Sequence, residues 1–83
     1  MQTIFIDGRQ YASPLELHLA LKAMLDLPEH YGCNADALYD CLSERQESVN
    51  AVVFHPGEGE TAQALRKCLM VIEDLDGCIT TIL

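Results

Sequence analysis

Short apolar runs alternate with amphipathic stretches along the 83 residues of this chain. Three runs rich in β-branched and aromatic residues, at positions 3–6, 49–54 and 78–83, predict strands. The middle run is almost continuously apolar, so we expect that strand to be buried on both faces of a sheet.

The clearest helix start in the sequence is Ser13-Pro14, followed by Glu16. Ser13 can cap the helix, Pro14 suits its first turn, and Glu16 completes a capping box, so a helix is predicted from there to about Leu25. At the helical repeat, one stripe of apolar residues on this helix is predicted to face the core. His18 lies at the edge of that stripe, and we interpret it as a packed structural histidine. The stripe comprises Leu17, Ala20, Leu21, Met24 and Leu25.

A second apolar stripe of this helix, formed by Leu15, Leu19 and Ala23, lies nearly opposite the first. A monomer needs only one apolar face on a surface helix. The second stripe therefore predicts a partner element or a homodimer that forms through Leu15 and Leu19.

Two further helices complete the predicted order of elements. Asn34 is a predicted cap for a helix that ends at about Leu42 or Glu44, and a third helix is predicted from about 60 to 75. Gly77 would end it in a left-handed conformation. The order strand, helix, helix, strand, helix, strand predicts one α/β domain over residues 1–83, with a small three-stranded parallel sheet.

The charge of the chain narrows the classes of partner. Thirteen acidic residues face five basic ones, giving a net charge of −8. Such a field repels phosphates and attracts basic proteins, so direct nucleic-acid binding is not expected. Between residues 29 and 60 there are seven carboxylates and one base, Arg45, which concentrates the acidity in the middle of the chain.

Asp36 and Asp40 lie four residues apart, on one face of the second helix with Tyr39 beside them. Three interpretations stay open at this point: a solvated helix face, an acid and base pair for hydrolysis, or a surface for a basic partner. Hydrolysis needs a cleft, which so short a helix beside an open loop hardly offers. We therefore expect no enzyme activity.

No Cys-x-x-Cys spacing is present among the four cysteines, so we expect free thiols, no metal and no cofactor. Cys41, Cys68 and Cys78 are interpreted as small buried hydrophobic residues. The alternative from another class of function is an enzyme or a metal-binding thiol protein that uses His30 and Cys33. Neither a signal peptide nor a membrane span is visible, so we expect a cytoplasmic protein.

The segment 27–42, LPEHYGCNADALYDCL, closely resembles the barstar family, intracellular protein inhibitors of secreted ribonucleases. The resemblance covers nearly the whole chain. It implies a three-stranded parallel sheet packed with helices, and inhibition without catalysis, by an acidic helix and its preceding loop that plug the basic active site of a ribonuclease. The implied partner-binding residues are Asp40, Asp36, Tyr39, His30, Gly32, Asn34, Cys33 and Glu44.

Several positions depart from the family pattern. His30 stands where the family has a tyrosine, Tyr39 where it has a tryptophan, and Ile72 where the last helix contributes a glutamate to the interface. A family helix between the second strand and the last helix is reduced here to residues 55–59. The alternative function is therefore an oligomeric interaction module on this fold that does not inhibit a nuclease.

Overall fold

The computed structural model describes residues 2–82. These residues fold into a three-stranded parallel sheet with three helices packed on one side. The α/β prediction is confirmed. In chain order the elements are β1 (Gln2–Asp7), a single 3-10 turn (Gly8–Gln10), α1 (Pro14–Leu25), α2 (Ala35–Ser43), β2 (Val49–Phe54), α3 (Glu60–Asp74) and β3 (Cys78–Ile82).

The strands lie in the order β1-β2-β3, and Ala51 of β2 is opposite Ile4 on one side and Ile79 on the other. Parallel neighbours require crossover connections. The helices α1 and α2 together connect β1 to β2, and α3 connects β2 to β3. Only residues 55–59 separate β2 from α3, and they form no helix, as predicted.

One hydrophobic core joins the inner face of the sheet to all three helices. The predicted stripe of α1 is confirmed, because Leu17, Leu21 and Leu25 are fully buried, and His18 is buried beside them. The second and third helices likewise turn an apolar face toward this core. The core residues of the other elements include Ile4, Ile6, Leu38, Leu42, Val49, Ala51, Val53, Leu65, Cys68 and Ile72.

The outer face of the sheet is open, and the prediction that β2 is buried on both faces is wrong. Val52 and Phe54 alternate with buried residues and stay partly exposed, and Phe5 on β1 is 60% exposed. All three helices cover the same face, so no element within residues 2–82 covers the other. The rings of Phe5 and Phe54 stack at 6.5 Å and so shield each other in part.

The end of α3 differs from its prediction in one detail. The left-handed residue is Asp76, with φ 63°, and Gly77 has no positive φ. Gly77 is needed instead for close approach, because a Cβ there would lie 2.5 Å from the carbonyl oxygen of Val49. The chain turns one residue earlier than predicted, and Gly77 lets it pass closely beside the start of β2.

The four cysteines are free thiols, but only one is fully buried. Cys68 lies in the core, Cys41 is half-buried, and Cys78 is exposed, so the prediction of burial is wrong for Cys78. The physical reason is that β3 is an edge strand and Cys78 lies on the open face of the sheet, in register with Asn50.

Candidate protein-binding site on the second helix

The loop that precedes α2 is anchored by two buried side chains. Leu27 and Tyr31 are only 5% and 6% exposed, and the backbone N–H of Tyr31 donates to the carbonyl oxygen of Pro28 at 2.9 Å. The side chains between them, including His30, remain exposed. The loop therefore presents His30 to solvent from a fixed base.

A buried histidine holds the Tyr31 anchor. His18 Nδ1 lies 2.6 Å from the Tyr31 hydroxyl oxygen, and His18 Nε2 lies 4.0 Å from Cys68 Sγ. Both contacts are satisfied when the tyrosine hydroxyl donates to Nδ1 and the ring hydrogen sits on Nε2. Burial lowers the pKa of His18 and raises the pKa of Cys68 to about 11, which favours these neutral forms. The contacts join the loop to α1 and α3.

The junction between the loop and α2 is held by its own hydrogen bonds. Cys33 has a left-handed φ of 54°, and its Sγ donates to the carbonyl oxygen of Tyr31 at 3.8 Å. Asn34 accepts from the backbone N–H of Ala37 at 2.8 Å and donates to the carbonyl oxygen of Gly32 at 3.2 Å. The predicted cap is confirmed, and the same side chain fixes the loop to the helix.

The outer face of α2 carries Asp36, Tyr39 and Asp40, all exposed, while Leu38 and Leu42 face the core. Within residues 2–82, neither aspartate side chain accepts a hydrogen bond or forms an ion pair. Asp36 lies in the first turn, where a carboxylate suits the helix dipole. The face therefore offers unpaired carboxylates from a rigid helix.

The basic residue nearest to this acidic segment does not neutralise it. The guanidinium of Arg45 donates to the backbone carbonyls of Leu25 and Asp26 and to Gln2 Oε1, so it joins the end of α1 to the chain after α2. Lys22 is occupied in the same way, with its Nζ 3.4 Å from Glu29 Oε2. Both cations stabilise local structure and leave the carboxylates of α2 free.

A cleft with a volume of about 500 Å³ opens beside the loop, where the first turns of the three helices meet. Asp36 lines it on one side, and Glu60 and Lys67 of α3 line the other. Buried His18, the hydrogen-bond partner of Tyr31, forms part of its lining. A side chain of a partner protein could enter there beside α2.

The structure brings the predicted partner-binding residues together along the loop and α2. Glu44 follows α2 as its C-cap and is exposed, whereas Cys33 is half-buried. Tyr31 is the residue that the prediction missed, and its contact with His18 could have been suspected from a histidine beside the core stripe. Ile72, at the position of the family glutamate, is 1% exposed, so α3 presents no side chain to a partner there.

The alternative metal site is not formed. Among residues 2–82 no group of three or more histidine, cysteine or acidic side chains is placed to hold a metal ion. The Cys33 thiol is directed at a backbone carbonyl. No helix within the described part of the chain has the length and apolar character needed to span a membrane.

The fold and this site define a small α/β domain with an acidic helix beside an anchored loop. The chain belongs to the Barstar family, since the family model "Barstar (barnase inhibitor)" matches residues 1–77. The chain is also 51% identical over 43 residues to a Bacillus subtilis (strain 168) protein named "Putative ribonuclease inhibitor YrdF". That alignment covers 52% of this chain and 47% of the relative, so the chain spans about half the length of the relative it matches.

Proposed function

We propose that this protein inhibits a ribonuclease by placing α2 and the loop before it over the enzyme's basic active site. The observation that carries the proposal is the pair of exposed carboxylates, Asp36 and Asp40, which have no partner within residues 2–82. Family membership and the name of the Bacillus relative support the same function.

Asp40 is the central carboxylate of the proposed contact, and Asp36 supports it one turn earlier. A ribonuclease binds phosphates with lysine and arginine, and a carboxylate entering that cluster forms charge-assisted hydrogen bonds. The partner is therefore a basic ribonuclease, and the protein acts by binding rather than by catalysis. With a net charge of −8, the chain also attracts such a partner over distance, so association should slow as salt rises.

The remaining residues of the proposed contact surround these two carboxylates. Tyr39 extends from the same helix face, and Glu44 continues the acidic surface at the end of the helix. On the loop, His30, Gly32, Cys33 and Asn34 would contact the enzyme beside its active site. Because the loop is anchored by buried Tyr31, it can contact the partner without first becoming ordered.

The test is inhibition of RNA cleavage, first with barnase, the ribonuclease in the family description, and then with other small basic ribonucleases. We expect Asp40→Ala to weaken inhibition by roughly 30-fold to 5,000-fold, which corresponds to about 2–5 kcal/mol for truncating one partner of a buried charge pair. The barnase–barstar pair itself contributes to that range, so the magnitude is carried over from the family.

Glu58→Ala is the matched control, because Glu58 is an exposed carboxylate on the 55–59 loop and its loss changes the net charge equally. Inhibition by this variant should match the unsubstituted protein. Equal inhibition by Asp40→Ala and Glu58→Ala would contradict the proposed role of Asp40.

The second candidate is an oligomeric interaction module that does not inhibit a nuclease. Burial of Ile72 favours it, since the last helix then contributes no carboxylate to a ribonuclease interface at that position. Tyr39, which stands where the family has a tryptophan, also favours this second candidate. Absence of inhibition across basic ribonucleases, with the fold intact, would favour this candidate.

A further inference from the structure

The last strand, β3, is the most exposed element of the sheet. Its residues Cys78, Thr80, Thr81 and Ile82 are exposed, and Ile79 is only partly buried. Because the sheet order is β1-β2-β3, β3 pairs with β2 alone within the described residues 2–82. Its outer edge therefore offers backbone donors and acceptors to another strand.

Within the described residues 2–82, none of the usual protections of an edge strand is present on β3. Proteins commonly guard such edges with lysine, proline, a bulge or a covering element. The sequence of β3, CITTI, has no charge and no proline, and four of its five residues are β-branched isoleucine or threonine, which have high strand propensity. By contrast, the start of β1 is held to α1, since Gln2 Nε2 donates to the carbonyl oxygen of Met24 at 2.9 Å.

We propose that two copies of this chain associate by antiparallel pairing of their β3 edges into a six-stranded sheet. Two molecules of net charge −8 repel, so they can associate only where carboxylates are absent. Pairing centred on Thr80 meets this condition. Among the described residues 2–82, the carboxylate side chain nearest to Thr80 along the chain is that of Asp76, which would then lie roughly 26 Å from Asp76 of the second copy, at about 3.3 Å per strand residue. That separation exceeds the screening length of about 8 Å.

A parallel arrangement of the two edges would instead place the two Asp76 side chains side by side. Charge therefore selects the antiparallel, twofold arrangement. Backbone hydrogen bonds would supply most of the affinity, as when a peptide strand is added to a sheet. Each copy contributes only the five residues of β3 to the pairing, so we expect weak association.

The proposed pairing uses the edge of β3 and none of the residues of the proposed ribonuclease contact, which lie on α2 and the loop before it. The inference therefore goes beyond the proposed inhibition and does not depend on it. A variant that abolishes pairing should retain whatever inhibition the unsubstituted protein shows.

The test is sedimentation velocity from ~10 µM to ~500 µM, a range suited to weak association. Thr80→Lys places two like charges opposite each other in the proposed pair, which is destabilising. The matched control is Thr3→Lys, because Thr3 is also an exposed threonine on the open face of an edge strand. We expect association of the unsubstituted protein and of Thr3→Lys, with at least tenfold weaker association of Thr80→Lys.

Amide hydrogen exchange of the unsubstituted protein gives a second measurement that needs no variant. The β3 amides that point away from β2 should become protected as concentration rises, while the exposed amides of β1 should not. A monomer at ~500 µM would overturn the proposal. Equal effects of the two lysine variants on association would also overturn it. Loss of association in Leu19→Ser alone would overturn it in favour of a dimer through the Leu15 and Leu19 face.

Discussion

The contact between His18 and Tyr31 makes a quantitative prediction about stability and about the loop before α2. In His18→Phe the Tyr31 hydroxyl, which belongs to a side chain only 6% exposed, would lose its partner at 2.6 Å. Leaving a buried hydroxyl unsatisfied costs about 1–3 kcal/mol. A chain of this length has a free energy of unfolding of about 4–12 kcal/mol, so a cost of about 2 kcal/mol is a large fraction. The expected decrease in Tm is about 8–16 °C.

The measurement is urea unfolding followed by circular dichroism, because the chain has no tryptophan. Tyr31→Phe should also cost about 1–3 kcal/mol, since it leaves His18 Nδ1 without its partner. The double variant should then cost less than the sum, by about 1 kcal/mol or more. The control is Tyr39→Phe, which removes a hydroxyl from a tyrosine that is 45% exposed and should change stability by less than about 0.5 kcal/mol.

The pH dependence gives an independent test of the same contact. Burial lowers the pKa of His18, so below pH 6.5 the unfolded chain binds a proton that the folded protein resists. The stability of the unsubstituted protein is therefore full above pH 6.5 and falls as pH decreases from 6.5 toward the lowered pKa of His18, by at most about 1.4 kcal/mol per pH unit. His18→Phe lacks the imidazole that causes this dependence, so its stability should not show it. His30 and His55 are present in both proteins and therefore do not account for a difference between them.

Two results would refute this account of the contact between His18 and Tyr31. One is additivity of His18→Phe and Tyr31→Phe within about 0.5 kcal/mol, since coupled side chains in contact should not add. The other is an identical slope of stability against pH between pH 5 and 6.5 in the two proteins. A positioning role for His18 further requires that His18→Phe weakens ribonuclease inhibition at a temperature where it remains folded.

Two further substitutions test local geometry. Asn34→Ala removes the cap of α2 and its bond to Gly32, and should lower the free energy of unfolding by about 0.5–2 kcal/mol in the same urea assay, while Asn34→Asp should retain most of the stability. Gly77→Ala would place a Cβ 2.5 Å from the carbonyl oxygen of Val49, so we expect a loss of more than about 2 kcal/mol. Gly32→Ala is the comparison, because Gly32 has no positive φ and the nearest atom to an added Cβ there is the Ala37 side chain at 3.3 Å. An equally small effect at both sites would contradict the close approach at Gly77.

Most of the architecture was predictable from local patterns. The cap residues Ser13 and Asn34 fix the starts of α1 and α2, and the strand runs have few alternative interpretations. What local patterns could not supply is the side of the sheet on which each helix packs. An apolar strand such as β2 looks the same whether one or both faces are covered, so its exposure at Val52 follows only from the tertiary arrangement.

The candidate site was predictable in a different way. Its residues came from the resemblance of segment 27–42 to one family, because Asp36 and Asp40 alone fit a solvated helix face equally well. The anchor was harder to find from sequence. Tyr31 and His18 are thirteen residues apart on different elements, and only the return of the loop across α1 brings their side chains together.

The energetics of α2 explain how the protein can leave two carboxylates unpaired on so short a helix. Asp36 and Asp40 repel each other across one turn by a few tenths of a kcal/mol. The Asn34 cap contributes about 1 kcal/mol in the opposite direction, and the first-turn position of Asp36 interacts favourably with the helix dipole. Local stabilisation therefore exceeds local repulsion without a cation from the described residues 2–82. If an arginine of this chain neutralised Asp40, that ion pair would have to break before the proposed partner could bind. Arg45 donates to backbone carbonyls instead, which leaves the Asp40 carboxylate available for the proposed contact.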